Sequence, residues 1–406
     1  MVKGWSYKHI GDLVNILNGG TPSTRVSKYW NGDINWCTPS DITKQSTKYI
    51  FSTERTITKE GLSDSGAVFL PKGTILLCTR ATIGESSIAG DQICTNQGFK
   101  NLVCTAVDNE FLYYALKPLK NEMISNAHGS TFLELSKLHL EKIEVFIPND
   151  RDEQHNIAEA LSDIDELIYS LEMLIKKKKA IRKGAIQELI TGKKRLKGFG
   201  EPWGEVKLNE LCYLITKQTG FDYTATIQPS LSTTRASDCL PFLQTKNFRG
   251  RNFSYDTDYF IPITIAKEFP KLVLNEKCLL FSIVGASVGN VGLFPGEVSS
   301  FCGGAIGIAK FRDPSDAMYV YYYMCSRQGQ AQIEEVTKGG AQATVTIADI
   351  RDFTIPLPNK EERVALANVF EDIDVEIEIL ECKLGKYRDI KIGMMNELLT
   401  GKIRLV

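Results

Sequence analysis

Long apolar runs, paired cysteine motifs and histidine are what this 406-residue chain has least of. No segment approaches the roughly 20 apolar residues of a membrane helix. The opening MVKGWSYKHIGDL lacks the apolar centre of a secretory leader. The expectation is a cytoplasmic protein with no membrane association. None of the ten cysteines forms a C-x-x-C pair, and several (Cys78, Cys104, Cys278) lie in apolar runs. They read as reduced, mostly buried thiols. Four scattered histidines (His9, His128, His139, His155) argue against a zinc site, and no metal is expected. A net charge of −1 carries no bulk signal for nucleic acid.

Catalytic signatures are also missing. There is no G-x-x-x-x-G-K-[ST] phosphate loop and no Asn-Pro-Pro-Tyr methyltransferase motif. The glycines Gly285, Gly289 and Gly292 have the wrong spacing for a dinucleotide fingerprint, and the corresponding turn in the first half carries Arg80 where Gly285 stands. They read as a structural turn. Asp374 with Glu381-Cys382-Lys383 loosely approaches a metal-nuclease pattern, but the run lies on a helix where Glu and Lys are ordinary surface residues. The chain is expected to bind rather than catalyse.

What the chain does have is an internal repeat. The stretch from Ile157 to Leu196 returns from Leu366 to Leu405, and Leu189-Ile190-Thr191-Gly192-Lys193 returns as Leu398-Leu399-Thr400-Gly401-Lys402, both displaced by 209 residues. Apolar residues alternate steps of four and three at Ile157, Leu161, Ile164, Ile168, Leu171 and Ile175. The second copy places Leu366, Phe370, Ile373, Ile377, Leu380 and Leu384 at matching positions. That is a heptad seam requiring a partner helix. Each copy predicts a rod of roughly 60 Å at 1.5 Å per residue, closed by a Thr-Gly C-cap. Two copies in one chain favour an intramolecular antiparallel coiled coil. Acidic residues crowd each helix start (Asp163, Asp165, Glu166; Glu371, Asp372, Asp374) and Lys176–Lys179 with Lys193, Lys194 and Arg195 crowd the end of the first. Such runs suit either a solvated helix face or a DNA-backbone contact.

The repeat continues outside the helices. Trp5 opens the first half and Trp203 the second, and Val145-Phe146-Ile147-Pro148 is answered by Ile355-Pro356-Leu357-Pro358. The fold class predicted is α/β: two globular mixed α/β domains and two long helices in a pseudo-twofold tandem repeat. The domains are placed at 1–148, 149–197 (helix), 198–358 and 359–406 (helix). Thr38–Gly66 has no counterpart legible in Thr245–Lys271, as expected of a shared scaffold bearing unshared loops.

Candidate binding residues lie in polar and basic loops beside aromatics. The first half offers Thr24, Arg25, Lys28, Thr38, Ser40, Arg80, Thr82, Ser130 and Thr131; the second offers Thr234, Arg235, Gln244, Lys246, Asn247, Arg249, Arg251, Lys338 and Gln342. Arg, Lys, Gln and Asn make contacts to base edges, and Ser and Thr reach phosphates.

Three features together resemble the specificity subunit of a type I restriction–modification system: Gly20-Thr21-Pro22 followed by Tyr29-Trp30 and Ile34-Asn35-Trp36, the strand ending Ile147-Pro148, and the twice-occurring Leu-(Ile/Leu)-Thr-Gly-Lys-x-Arg-Leu. The second half departs from the pattern, since Leu214–Arg235 lacks the Gly-Thr-Pro run. The resemblance implies two target recognition domains that each read one half of an asymmetric bipartite site in double-stranded DNA, with the paired helices setting the spacer. It implies a non-enzymatic adaptor that assembles with two modification subunits and optionally two restriction subunits. S-adenosylmethionine would then belong to the former, ATP and Mg²⁺ to the latter, and no cofactor to this chain.

Overall fold

Both copies of the repeat become helices of 39 residues, Arg151–Leu189 and Lys360–Leu398. Each begins ahead of its apolar seam because a polar residue caps it. The Asp152 N–H donates to the Asp150 carboxylate at 3.0 Å, and the Glu362 N–H to the Asn359 amide oxygen at 2.9 Å. Each ends alike. The Thr191 hydroxyl donates to the Gln187 carbonyl and Thr400 to Asn396, while Gly192 and Gly401 both take φ +69°. The left-handed glycine turns the chain back, so Lys194 N–H reaches the Glu188 carbonyl and Ile403 N–H the Glu397 carbonyl.

The computed structural model describes residues 2–129, 133–249, 252–337 and 343–405, with backbone alone at Arg249 and Asn252. The chain forms two compact units, one of Met1–Ile175 with Ile379–Val406 and one of Lys176–Glu378. It passes from one to the other inside the long helices.

The first unit contains β1 (Trp5–His9), β2 (Val14–Asn18), β3 (Trp30–Cys37), β4 (Tyr49–Ile50), β5 (Thr56–Ile57), β6 (Ile75–Cys78), β7 (Ser86–Ala89), β8 (Cys94–Thr95), β9 (Phe99–Cys104) and β10 (Glu144–Pro148). They form a five-stranded sheet in the order β2-β9-β6-β7-β4, a three-stranded sheet β5-β3-β8 and the pair β1-β10. The second unit contains β11 (Gly204–Lys207), β12 (Cys212–Thr216), β13 (Cys239–Leu243), β14 (Phe248–Arg249), β15 (Asn252–Phe253), β16 (Phe260–Pro262), β17 (Val273–Leu274), β18 (Cys278–Ser282), β19 (Val291–Phe294), β20 (Ser300–Cys302), β21 (Ile306–Phe311) and β22 (Thr354–Leu357). Its sheets are ordered β12-β21-β18-β19 and β16-β13-β20-β17, with the pairs β11-β22 and β14-β15.

The second unit repeats the core of the first: β2-β9-β6-β7 is answered by β12-β21-β18-β19 and β5-β3-β8 by β16-β13-β20, while β4 is peculiar to the first unit and β14, β15 and β17 to the second. In both, a central strand (β3 or β13) pairs antiparallel with a later one (β5 or β16) and parallel with a third (β8 or β20). Trp36 lies opposite Cys94 as Phe242 lies opposite Phe301, so Trp36 and Phe242 are equivalent. This corrects the reading that Thr38–Gly66 lacks a counterpart. The Trp36 N–H donates to the Arg55 carbonyl and the Phe242 N–H to the Tyr259 carbonyl. Thr53-Glu54-Arg55-Thr56-Ile57 therefore matches Thr257-Asp258-Tyr259-Phe260-Ile261. The match escapes the sequence because backbone pairing alone carries it.

Each main sheet packs against an aromatic helix, Asn109–Ala115 or Asp316–Met324, the latter buried throughout. Ile157 and Leu161 enter the first core with Trp5 and Phe111, and Leu366 and Phe370 enter the second with Tyr322. Among the described residues no helix is long and apolar enough to cross a membrane.

Candidate nucleic-acid interface

The repeated helix end is a clasp, built once in each unit from the same residue types. In the first, the Trp5 indole N–H donates to Glu153 Oε1 at 3.2 Å, and Arg404 holds both Glu153 oxygens. In the second, the Trp203 indole donates to Glu362 Oε2 at 3.0 Å, and Arg195 holds that carboxylate through Nε at 2.7 Å and Nη2 at 2.6 Å. Both glutamates are almost wholly buried, so each depends on its bidentate arginine. A Cβ on Gly192 would lie 3.2 Å from the Trp203 ring and one on Gly401 3.2 Å from that of Trp5. The glycine is needed both for its left-handed backbone and for the indole lying on it. The arginine of one helix copy thus closes on the glutamate that starts the other.

Further ion pairs run the same way. The first unit has Asp165 with Lys391 and Glu172 with Arg388; the second has Arg182 with Asp374 and Lys178 with Glu376. As one partner's number rises the other's falls, so the helix segments within each unit are antiparallel. Of the acidic starts and basic ends, Asp165, Asp374, Lys178 and Arg195 are therefore engaged by the other helix copy. Asp374, the centre of the loose nuclease pattern, is engaged by Arg182 and by the Tyr322 hydroxyl. Among the described residues no cluster of three metal-ligating side chains occurs. Of the seam, Ile157, Leu161, Ile164, Leu171, Ile175, Leu366, Phe370 and Ile377 are buried, and Ile168, Ile373, Leu380 and Leu384 are half-buried.

In the first unit two tryptophans organise the loops. Trp36, 3% exposed, donates its indole N–H to the Gly20 carbonyl at 2.8 Å. Trp30 stands edge-on to it at 5.0 Å and donates to the Ser23 carbonyl at 3.2 Å. The Gly20–Ser23 segment is thereby pinned, and Thr24 and Arg25 follow it as exposed residues. The turn Asn96-Gln97-Gly98 joins this group to the next. Thr21 donates its hydroxyl to Gln97, Asn96 N–H donates to the Cys37 carbonyl, and Thr79 N–H to the Gly98 carbonyl.

Several candidates are already committed within the protein. Lys28 is exposed but lies 3.1 Å from Glu60, whose hydrogen bond and charge raise its pKa. Thr38 caps the helix Pro39–Lys44 and donates to Asp41 at 2.6 Å, leaving Ser40 exposed on the first turn. Arg80 pairs with Glu134 at 2.5 Å, and the Thr82 hydroxyl is buried without a partner among the described residues. Burial works to raise the Glu134 pKa, but hydrogen bonds from Arg80 and Lys100 outweigh it and hold the carboxyl below its usual value.

In the second unit Thr234 and Arg235 are exposed, and Lys246 is exposed 2.6 Å from Asp258. Gln244 is half-buried and lines a cavity of about 490 Å³ with Gln218, Phe221, Tyr223 and Phe242. Asn247 is not available as a base reader: it is 2% exposed. Its amide accepts from Gln244 N–H and donates to the Ser254 and Asp256 carbonyls. A capping position drew it inward, as it did its equivalent Asp41 in the first unit. Ser130, Thr131, Arg251, Lys338 and Gln342, and the side chain of Arg249, lie outside the described residues.

Two exposed residues of these loops, Gln97 beside Thr21 and Arg55 beside Trp30, were missed by sequence reasoning. The Arg55 guanidinium sits 3.8 Å from the Trp30 ring centre and 5.3 Å from that of Trp36. A tryptophan-flanked arginine in the loop just before a two-residue strand has no local motif to announce it.

A model of the type I restriction modification DNA specificity domain matches residues 2–181 and again 200–386. The MjaVIII type I restriction enzyme specificity subunit of Methanocaldococcus jannaschii is 24% identical over 99% of this chain and 93% of its own length. The MjaIX specificity subunit of the same organism is 40% identical over 41% of this chain, a match spanning 39% of that relative. A crystal structure of the S subunit of a type I restriction-modification system from M. genitalium superposes with a TM-score of 0.62 at 15% identity, covering 97% of this chain and 96% of that one. A chain from a structure addressing assembly and conformational transition of the type I R-M system gives 0.55 at 15% identity, covering 98% of each.

Proposed function

The chain belongs to the type I restriction modification DNA specificity family, and from that premise we propose that it is the sequence-reading subunit of a methyltransferase complex. Residues 1–148 and 198–358 act as the two readers, and 149–197 with 359–406 act as the helical connector. Each reader takes one half of an asymmetric bipartite site in double-stranded DNA, and the connector sets the unspecified spacer. The observation that carries this is the repeated scaffold with changed contents: one core strand order and one clasp built twice, with Arg55 in one copy where Tyr259 stands in the other.

The chain assembles with two modification subunits, which bind S-adenosylmethionine, and optionally with two restriction subunits, which use ATP and Mg²⁺. It contributes recognition, not chemistry, and works in the cytoplasm where the DNA is. The candidate contacts are Thr24, Arg25, Lys28, Ser40, Arg80, Thr234, Arg235, Gln244 and Lys246, to which Arg55 and Gln97 are added.

Co-expression with the cognate modification subunit in a methylation-free host, followed by long-read mapping of N6-methyladenine, tests the reading. Two short half-sites around a fixed gap are expected, and exchanging residues 1–148 is expected to change one half-site only. Methylation without a bipartite motif, from a complex shown to contain both subunits, refutes it.

A further inference from the structure

We propose that Arg55 reads a guanine, through the N7 and O6 acceptors of its major-groove edge, in the half-site taken by the first unit. The inference rests on the DNA-recognition reading above and adds to it one residue and one base.

Three observations converge on Arg55. Its backbone is fixed, because the Arg55 carbonyl accepts from the Trp36 N–H at 3.1 Å and from the Thr53 hydroxyl at 2.7 Å. Its guanidinium lies over the Trp30 ring, 3.8 Å from the ring centre, so the indole positions it. Its N–H groups make no ion pair or hydrogen bond among the described residues, although its neighbour Glu54 is paired with Lys44 at 2.7 Å. The side chain is exposed. An arginine that is oriented, exposed and unpartnered presents a rigid fork of donors, and two acceptors side by side satisfy it.

A phosphate would accept such a fork as readily, but a phosphate contact carries no sequence information and gives two readers of different half-sites no reason to differ at this position. Guanine presents N7 and O6 at the spacing of two guanidinium donors, and this is the commonest specific contact in the major groove.

The second unit supplies independent support. Tyr259 occupies the same position, with its carbonyl accepting from Phe242 N–H at 2.9 Å and from the Thr257 hydroxyl at 3.3 Å. The adjacent acidic residue is also paired, here Asp258 with Lys246 at 2.6 Å, although that lysine stands at the position of Ser40 rather than of Lys44. The backbone around the position is preserved while the side chain changes from a five-donor cation to a phenol. A residue that distinguishes two different half-sites would be expected to change.

The test is to map N6-methyladenine for the intact complex carrying Arg55→Lys or Arg55→Ala, beside the unsubstituted complex. The expected result is that one guanine in one half-site becomes degenerate while the other half-site and the gap are unchanged. Discrimination at that base should fall by roughly 5- to 150-fold, the range for one bidentate base contact. Because a variant complex can be lost to misfolding, the unsubstituted complex is also titrated with duplexes in which each half-site guanine is replaced in turn by 7-deazaguanine. One position should then weaken binding by at least fivefold. Absence of guanine from both half-sites overturns the proposal. So does an unchanged motif in both variants, or a uniform loss across all sequences with a smaller salt slope, which marks a phosphate contact. If the unsubstituted complex has no bipartite motif, the recognition reading itself fails, and that outcome is visible before any variant is compared.

Discussion

Replacing Asp374 with alanine removes the carboxylate at the centre of the second unit's helix packing. Arg182 Nη2 donates to Asp374 at 3.2 Å with Nε on the other oxygen, and the Tyr322 hydroxyl donates at 2.9 Å. Asp374 is 6% exposed. Losing one member of a buried ion pair costs about 3–5 kcal/mol, because the remaining charge stays desolvated. Arg182 keeps some access to water, with its side chain 30% exposed, which lowers the expectation to about 2–3 kcal/mol. The equivalent site in the first unit provides the control. Asp165 accepts from Tyr114 at 2.8 Å and from Lys391 at 2.5 Å, but its side chain is 27% exposed and its partner is a single flexible ammonium. Asp165→Ala should cost only about 1 kcal/mol.

Global unfolding of a chain with two units is not a two-state process, so the readout should be local. Hydrogen exchange on peptides covering Asp316–Met324 and Asn109–Ala115 reports each site in its own unit. Adding Arg182→Met to Asp374→Ala should restore much of the lost protection, since an apolar pair replaces an orphaned charge. Equal effects at the two aspartates, or no recovery in the double variant, would refute the argument from burial.

Gly401→Ala should destabilise the first unit by about 1–2 kcal/mol through its left-handed backbone and the crowded Trp5 ring, and Trp5 fluorescence should report the displaced indole. Wild-type fluorescence and stability in that variant would exclude the clasp. Burial pushes the Lys117 ammonium down to about 8. The unfolded chain therefore holds a proton that the folded chain releases as pH rises from about 8 to about 10.4, and folding gains about 2–3 kcal/mol over that interval. Lys117→Met should abolish this rise, measured as the difference between the two proteins' stabilities against pH; parallel curves would mean that the amine titrates normally. Inserting one heptad into both long helices adds about 10.5 Å of helix, or about three base pairs at 3.4 Å each. The methylated motif should lengthen its gap accordingly, and an active variant with an unchanged gap would rule out the helical ruler.

The two long helices and the tandem order were legible because both are written in local, periodic signals. A heptad seam, a capping residue and a Thr-Gly stop act within a few residues of themselves, and the 209-residue displacement repeats all three. The same displacement relates Glu153 to Glu362 and Arg195 to Arg404, so the clasp residues were in view as repeats. Their pairing was not, because each arginine closes on the glutamate of the other helix copy, far away in the chain. The helical charge runs show the same division. Their segregation is visible in sequence, but whether they face DNA or each other is decided by the antiparallel arrangement.

The loops were least legible, for a reason that Asn247 and Arg55 state between them. Both are polar residues in a stretch without sequence similarity to its counterpart. One is turned inward to saturate a loop, and the other is held outward on an indole with its donors unused. Residue type and spacing were enough to determine the repeat, the helices and the strand-rich domains, because burial of a periodic apolar face depends on local order along the chain. Which polar side chains remain available to a ligand was decided only by tertiary structure, because a hydrogen bond is used up by whatever partner the fold brings within 3 Å.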